Sequence, residues 1–379
     1  MRTLVEVAKS ARWTAAAVLC FTLGTPEPSL MAPKKANLKE DIVLVPGTGN
    51  KKLAFDIARE LGVTPAPLKL KRFSDGEVSC RIMQSMRGKD VFIVQPCANP
   101  VNDMMMELLL MISCAKRCGA NRVTAVVPYF GYKYHRRGEP ISTENQSRFL
   151  WSASGDFSKM MNVMGVDRII SVDLHRPGQG QETCFFDANV PVETVSSSDA
   201  LVRALVSSVE LHEKVTVVAA NPDFIKKARK YQLGIAETGG VKTVNLAAFL
   251  RKCEGAEVRM SREVVRLLGD VKDSDVIVVD DVVDTGASLS NICHALRQCG
   301  ARRVYICASH GMFSANSMEL IRLSPVEKVF VTDSLPLPPE ADSKIVQVSI
   351  ASTLAQLIEA EYFTSIMFRQ EDEEVYEDE

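Results

Sequence analysis

Short runs rich in Val and Ile alternate with amphipathic segments of helix length from Asp41 onward, and this alternation constrains the fold more than any other feature of the chain. Strands of a parallel sheet are buried on both faces, so they read as continuous apolar runs, and the intervening helices cover the sheet. The pattern therefore predicts an α/β protein. The clearest expected strands span residues 42–45, 91–95, 123–128, 169–173, 215–220, 276–279, 304–308 and 329–332, with helices such as 102–117 and 288–298 between them.

A six-residue repeat indicates that the chain contains two related halves. Residues 118–123 (CGANRV) and 299–304 (CGARRV) match at five of six positions, and each copy lies between an expected helix and an expected strand. Shared turn chemistry would explain the glycine at a helix end, but the common order of the surrounding elements favours duplication. We therefore expect an N-terminal extension, targeting or disordered, over residues 1–36, one domain over 37–185, a second over 186–368 and an acidic, disordered tail over 369–379.

Charge and cysteine usage exclude several classes of protein. The net charge is -2, and seven of the last nine residues are acidic, so the rest of the chain is only mildly basic. No nucleic-acid partner is expected from that balance. The ten cysteines include no C-x-x-C pair, so we expect reduced core thiols in a reducing compartment and no zinc site.

The first thirty residues resemble a short signal or transit peptide. Three basic side chains precede a mostly apolar stretch over residues 13–24, which is too short to cross a bilayer as a helix. An alternative is that translation starts at Met31 and that the upstream segment is not part of the protein. We expect a cytoplasmic protein without a membrane anchor, with organelle targeting through residues 1–30 as the alternative.

Residues 276–288 (VIVVDDVVDTGAS) carry the strongest chemical signal in the chain: an apolar strand, two acids and a small-residue turn that opens a helix. Backbone N–H groups at a helix start can surround a phosphate, and hydroxyl side chains add donors. Adjacent carboxylates can accept hydrogen bonds from two vicinal ribose hydroxyls; they also suit a metal or a helix cap. The combination in this order predicts a site for a phosphorylated sugar, formed by Asp280, Asp281, Asp284, Thr285, Gly286, Ala287 and Ser288.

This segment resembles the phosphoribosyl-binding motif of the type I phosphoribosyltransferase fold. Further segments are similar, in the same order, to those of the ribose-phosphate diphosphokinases, which share that fold; they span residues 71–77, 102–108, 126–132, 171–175, 269–271 and 309–314. The resemblance covers roughly residues 38–368. It implies two homologous domains, each a mainly parallel sheet flanked by helices, and transfer of the diphosphate of ATP to the anomeric hydroxyl of ribose 5-phosphate.

The same resemblance implies a nucleotide site built partly by a neighbouring subunit. Phe73 would stack on adenine, and Asp75 and Glu77 would hydrogen-bond to it, in a loop that reaches the adjacent protomer. Tyr134 and His135 stand where the family has an Arg-Gln pair that contacts ATP. A homo-oligomer based on dimers and extending up to a hexamer is therefore expected, or a mixed oligomer with related subunits.

The resemblance also implies Mg²⁺ as cofactor. His175 corresponds to a residue that touches the ATP phosphates and a magnesium ion, and Asp223 to the acid associated with a second magnesium and ribose 5-phosphate. Arg251 and Lys252 occupy the place of two catalytic cations, which in the family are separated rather than adjacent. After Asp223 the family has a Gly-Gly turn, whereas residues 224–227 read FIKK here.

These departures leave three further interpretations open. The chain could be a non-catalytic regulatory subunit of a synthetase oligomer, although such a subunit has no need of an intact phosphosugar motif. It could be a phosphoribosyltransferase that acts on a base, against which the duplicated halves and residues 71–77 count. A dinucleotide-binding enzyme is the weakest alternative, because residues 47–50 (GTGN) lack the third glycine of that fingerprint.

Overall fold

The computed structural model describes residues 37–132, 153–174, 190–251 and 264–377. Its strands form the two mainly parallel sheets that the sequence predicts, and the described residues from Lys39 onward cluster as one compact unit. We call residues 37–195 the first half and residues 196–377 the second half. No described helix is both long enough and apolar enough to cross a membrane.

The first half contains a sheet of five parallel strands and a separate hairpin. Strands β1 (Ile42–Pro46), β4 (Asp90–Val94), β5 (Arg122–Val127), β6 (Arg168–Val172) and β7 (Val192–Val195) lie side by side in that order, and the hairpin strands β2 (Leu68–Arg72) and β3 (Val78–Ile82) pair only with each other. The helices are α1 (Leu38–Asp41), α2 (Lys51–Leu61), α3 (Val101–Arg117) and α4 (Ala153–Met164).

The second half repeats this arrangement with its hairpin joined to the sheet. The strand order is β10 (Val264–Leu268), β9 (Thr243–Arg251), β8 (Lys214–Ala219), β11 (Asp275–Val283), β12 (Arg303–Gly311), β13 (Lys328–Thr332) and β14 (Ile345–Val348). Among the described strands of this sheet, only β9 and β10 pair in an antiparallel arrangement. The helices are α5 (Ser198–Ser208), α6 (Ile225–Thr238), α7 (Ala287–Gln298), α8 (Ser317–Leu323) and α9 (Ala351–Glu377), with a 3₁₀ turn at Pro222–Phe224.

The two copies of the sequence repeat occupy equivalent places. Cys118 and Cys299 cap the ends of α3 and α7, and each is followed by a glycine with positive φ, 79° at Gly119 and 86° at Gly300. Glycine adopts this left-handed conformation at helix ends without steric cost. The order β1-β4-β5-β6-β7 in one sheet corresponds to β8-β11-β12-β13-β14 in the other. Both observations support duplication.

Burial explains why the strands read as apolar runs. Along β11, Val276 and Val278 belong to one buried cluster, whereas Ile277 and Val279 belong to another. Successive side chains of a strand point to opposite faces, so the second sheet is covered by helices on both sides. This is the environment that continuous Val and Ile runs predict.

The described cysteines agree with the expectation of core thiols only in part, because the two at the ends of α3 and α7 are exposed. None of them forms a disulfide, and Cys97, Cys293 and Cys307 are buried. Burial raises the pKa of Cys80 and Cys293 to about 12. These thiols are therefore protonated near neutral pH and act as small apolar side chains.

The expected boundaries differ from the structure in two places. The first sheet does not end at residue 185, because β7 pairs in parallel with β6 and extends the first half to Val195. At the other end, the tail expected to be disordered is helical as far as Glu377, as the final part of α9. Glutamate is a good helix former, and a chain that extends an already packed helix needs no new nucleus.

Helix α9 also ties the end of the chain to the first half. It packs on α2, and Tyr362 donates a hydrogen bond to Asp41 Oδ2 at 2.5 Å. Glu361, buried on the same helix, pairs with Arg168 Nε at 2.9 Å. The two halves are thus joined by the last helix as well as by the connection after β7.

Candidate functional site

The paired acids of the predicted phosphosugar site lie near the end of strand β11. β11 has nine residues, and its last two, Val282 and Val283, pair with His310 and Gly311 of β12. Asp280 is half-buried and Asp281 is 7% exposed. The two acids are held in a fixed relation, because the Asp281 amide donates to Asp280 Oδ1 at 2.9 Å.

The turn after these acids has the conformation that the sequence predicts. Gly286 precedes α7 with φ 78°, a left-handed conformation that favours glycine. Thr285 and Ala287 are exposed, Ser288 is half-buried, and Asp284 Oδ1 accepts a hydrogen bond from Ser314. The first amides of a helix have no acceptor within it, so this turn directs N–H groups away from α7, as binding of an anion requires.

A buried polar cluster links this strand end to the first half. Asp173 follows β6, and its Oδ2 accepts hydrogen bonds from the Ser197 amide at 3.0 Å and from Ser309 Oγ at 2.6 Å. Lys227 Nζ lies 3.3 Å from the same oxygen and 3.5 Å from the carbonyl oxygen of Asp280. Burial opposes ionisation of Asp173, but Lys227, Ser197 and Ser309 outweigh it and lower the pKa of Asp173.

Sequence reasoning missed the role of Lys227. It identified residues 224–227 only as the replacement of the family's Gly-Gly turn, and adjacent lysines normally indicate a solvated surface. Lys226 is indeed exposed, whereas Lys227 is 4% exposed. The signal that could have revealed Lys227 is its place in the pattern of α6, where it precedes Ala228 and Tyr231, both buried.

His310 is a structural residue, in line with its burial. It is 2% exposed, its Nδ1 lies 2.8 Å from Ser334 Oγ, and Tyr129 of the first half packs edge-on against it at 5.1 Å between ring centroids. The contact joins the ends of strands from the two halves. His310 therefore contributes to the contact between the two halves.

The predicted adenine loop is the exposed turn of the β2–β3 hairpin. Phe73 is 47% exposed, its amide donates to the Glu77 carbonyl at 2.8 Å, and Asp75 Oδ1 accepts from the Glu77 amide at 3.0 Å. Arg72 anchors the hairpin to α3 through Asp103 at 3.1 Å. The loop thus presents an aromatic ring to solvent from a fixed base; its contact with adenine stays a prediction.

The other predicted residues are described in part. Asp223 lies in the exposed 3₁₀ turn that precedes α6. Arg251 is the last residue of β9, and its side chain lies outside the described residues. Also outside them are Tyr134, His135, His175 and Lys252.

The donor chemistry near the site suits magnesium. Asp223 offers carboxylate oxygens, the ligands that Mg²⁺ prefers, and Mg²⁺ commonly binds through one or two carboxylates together with substrate phosphates. Within the described ranges, no three His, Cys, Asp or Glu side chains are close enough to hold a metal ion by themselves.

The Gly-Thr-Gly segment after β1 packs against protein. Gly49 donates its amide to Gln95 Oε1 at 2.9 Å, and a Cβ at Gly49 would lie 2.5 Å from the carbonyl oxygen of Pro96. Gln95 is fully buried. Close packing therefore explains both glycines, which counts against a dinucleotide site.

Comparison with known proteins agrees with this geometry. Residues 42–153 match the family model described as the N-terminal domain of ribose phosphate pyrophosphokinase, and residues 251–368 match the one described as the phosphoribosyl synthetase-associated domain. The chain is 32% identical to ribose-phosphate pyrophosphokinase from Nostoc sp. over 332 residues, covering 86% of this chain and 93% of the relative. The Vibrio cholerae protein of the same name is 35% identical over 327 residues, covering 84% and 95%.

A solved structure supports the same assignment. Phosphoribosylpyrophosphate synthetase from Mycobacterium smegmatis superposes with a TM-score of 0.72 and 28% identity, covering 86% of this chain and 99% of that one. The match includes both halves and hence the duplicated architecture. The chain belongs to the ribose-phosphate pyrophosphokinase family.

Proposed function

We propose that the protein is a ribose-phosphate diphosphokinase, which transfers the diphosphate of ATP to ribose 5-phosphate and releases AMP. The observation that carries the proposal is the sequence motif of residues 276–288, with its acids near the end of β11 and its turn before α7, in a chain that matches the family over most of its length. Asp280 and Asp281 would bind the vicinal hydroxyls of the ribose, while the amides and hydroxyls of residues 284–288 would bind its 5-phosphate.

The chemistry requires positioning more than covalent assistance. The anomeric oxygen attacks the β-phosphorus of ATP, the bond from that phosphorus to the oxygen bridging to the α-phosphorus breaks, AMP leaves with that oxygen, and the hydroxyl proton is lost to solvent. Such phosphoryl transfers depend on alignment and on stabilisation of phosphate charge. Arg251, Lys252 and His175 are the proposed catalytic contributors. Bound Mg²⁺, with Asp223 and His175 as its proposed ligands, would neutralise charge on the phosphates.

The nucleotide site is proposed to need a second subunit. Phe73, Asp75 and Glu77 lie on an exposed hairpin turn, which is suited to reach a neighbouring protomer and hold adenine by stacking and hydrogen bonds. Tyr134 and His135 would complete the ATP contacts. The expected assembly is a homo-oligomer based on dimers, up to a hexamer, or a mixed oligomer with related subunits. The proposed location is the cytoplasm, with targeting through residues 1–30 as the alternative.

The direct test measures AMP released from ATP and ribose 5-phosphate by the purified chain with Mg²⁺. The variant Asp280→Ala/Asp281→Ala is expected to lower the rate at least about a hundredfold, because it removes the ribose ligands. Glu237→Ala/Glu359→Ala removes two exposed acids from helices elsewhere and serves as the matched control. Equal rates in the wild type and the Asp280/Asp281 variant would rule out catalysis at this site.

A second candidate function has a specific observation in its favour. The chain has FIKK after Asp223 instead of a glycine turn, and one of those lysines is buried beneath the strand end that carries Asp280. A regulatory subunit that binds ribose 5-phosphate without turning it over would tolerate this change. Calorimetric binding of ribose 5-phosphate without AMP release, together with altered activity of an added family enzyme, would favour this function over catalysis.

A further inference from the structure

One buried ammonium group contacts three strand ends that meet between the halves. Lys227 lies in the first turn of α6 and is 4% exposed. Its Nζ donates to Ser309 Oγ and lies 3.3 Å from Asp173 Oδ2 and 3.5 Å from the Asp280 carbonyl oxygen. An ammonium has three protons and no acceptor, so these three contacts can use its full donor capacity.

The carboxylate of Asp173, which faces this lysine, is also fixed by several hydrogen bonds. Asp173 Oδ2 also accepts from the amide of Ser197 at 3.0 Å and from Ser309 Oγ at 2.6 Å, and Asp173 has φ 39°, which is rare for a residue other than glycine. Burial of both charges costs solvation that only well-formed hydrogen bonds offset. The pair therefore has one favourable geometry, and that geometry joins the end of β6 to the ends of β11 and β12.

We propose that Lys227 is a positioning residue for the phosphosugar site. Through the Asp280 carbonyl it fixes the strand end that carries both sugar-binding acids, and through Asp173 it fixes that strand end against the first half. Lys227 acts on the ligand only through these groups. The identity of the ligand, ribose 5-phosphate, rests on the proposed function; the connection between the halves does not.

Three variants separate positioning from plain stability. Lys227→Met removes the charge but keeps most of the side-chain length, Asp173→Asn keeps the shape of the partner, and the double variant leaves no uncompensated charge. Both single variants are expected to unfold at lower temperature and to raise the calorimetric Kd for ribose 5-phosphate at least about tenfold. Lys226→Met, at the exposed neighbouring lysine, is the control and should change neither quantity.

The double variant gives the decisive result. Its Tm should return towards that of the wild type, because no lone charge remains buried, whereas its Kd should stay at least about tenfold raised. If the double variant recovered both quantities, or if Lys227→Met bound ribose 5-phosphate like the wild type, the positioning role would be wrong. In an active enzyme, Lys227→Met should raise KM for ribose 5-phosphate much more than it lowers kcat.

Hydrogen exchange without ligand tests the connection independently. The amide of Asp173 donates to the Val195 carbonyl at 2.9 Å, and that of Asp281 donates to Asp280 Oδ1 at 2.9 Å. Both should exchange faster in Lys227→Met than in Lys226→Met, while amides of α2 should not change. Unchanged exchange at both would overturn the inference. Failure of the wild type to bind ribose 5-phosphate would instead contradict the proposed function.

Discussion

The two halves share a topology, yet the phosphosugar motif lies only in the sequence of the second half. Two residues at equivalent strand positions, one in each half, illustrate the difference. β4 and β11 start with Asp90 and Asp275, so Gln95 in the first half corresponds to Asp280 in the second. Gln95 is fully buried and donates to Glu107 Oε2 at 3.3 Å, so protein groups occupy that strand end. At Asp280 the strand continues to Val283 and opens into the turn before α7. A duplicated fold thus supplies equivalent strand ends, and under the proposed function the residues at those ends decide which one can bind the phosphosugar.

A second matched pair shows the same divergence in charge. Asp173 follows β6 and Asp333 follows the corresponding strand β13, and both are buried. Lys227 and the two serines lower the pKa of Asp173, whereas burial raises the pKa of Asp333. The folded protein therefore stabilises the ionised form of Asp173 and destabilises the ionised form of Asp333.

The largest expected effect is a loss of stability when a charge is placed at Gln95, the buried residue that follows β4 in the first half. Gln95→Glu keeps the size of the side chain but sets a buried carboxylate beside Glu107, which is itself buried. The free energy of unfolding should fall by about 3 kcal/mol or more. Urea denaturation measures the loss, with Gln347→Glu at a half-buried position as the control. A loss similar to the control's would mean that the first strand end is not tightly packed.

The reciprocal change tests the corresponding strand end of the second half, where the proposed function places ribose 5-phosphate. Asp280→Gln installs the first-half residue and removes a charged acceptor for ribose hydroxyls. The Kd for ribose 5-phosphate should rise about a hundredfold, or about 2.7 kcal/mol, while the free energy of unfolding changes by less than about 1 kcal/mol at this half-buried position. Calorimetry and urea denaturation measure the two quantities. Undiminished binding would show that the matched position does not decide which half binds the sugar.

The hairpins of the two halves also differ, and the difference predicts a smaller effect that concerns ATP alone. β2–β3 pairs only with itself and exposes Phe73, whereas β9 joins the second sheet. Phe73→Ser should raise KM for ATP about tenfold, since stacking on a base is worth about 1–3 kcal/mol, and should leave the free energy of unfolding within about 0.5 kcal/mol. Phe55→Ser, at another exposed ring on α2, is the control. Equal KM values for ATP in the two variants would show that the hairpin does not contribute to the nucleotide site.

Local patterns made much of this architecture predictable. The Val and Ile runs located the strands, because burial on both faces leaves a continuous apolar signature, and the motif around Asp280 was recognisable because strand, acids and turn are contiguous in sequence. Contacts between residues far apart in the sequence leave no such local pattern. Lys227 lies 54 positions from Asp173, and only the packed fold shows that this lysine, unlike Lys226, points inward. The boundary near residue 185 was wrong for the same reason, since a four-residue strand belongs to whichever sheet it pairs with.

The smallest effect concerns the disfavoured aspartate. Because the folded-state pKa of Asp333 is raised, its contribution to stability is complete below the unfolded pKa and is lost as pH rises through the folded value. Asp333→Asn cannot ionise, and its Oδ1 can still accept from the Ile350 amide, a bond of 2.9 Å in the wild type. The variant should therefore gain stability relative to the wild type as pH rises from about 4 to 7, by about 1 kcal/mol at most.

The variant Asp173→Asn should show the opposite trend. Its loss of stability relative to the wild type should be largest near neutral pH and should shrink in acid, because the pKa of Asp173 is lowered. Urea denaturation between pH 7 and about pH 2 measures both trends, because the Asp333 trend lies above about pH 4 and the Asp173 trend mostly below it. Parallel curves for the two variants over the whole range would show that the matched aspartates do not differ in charge environment.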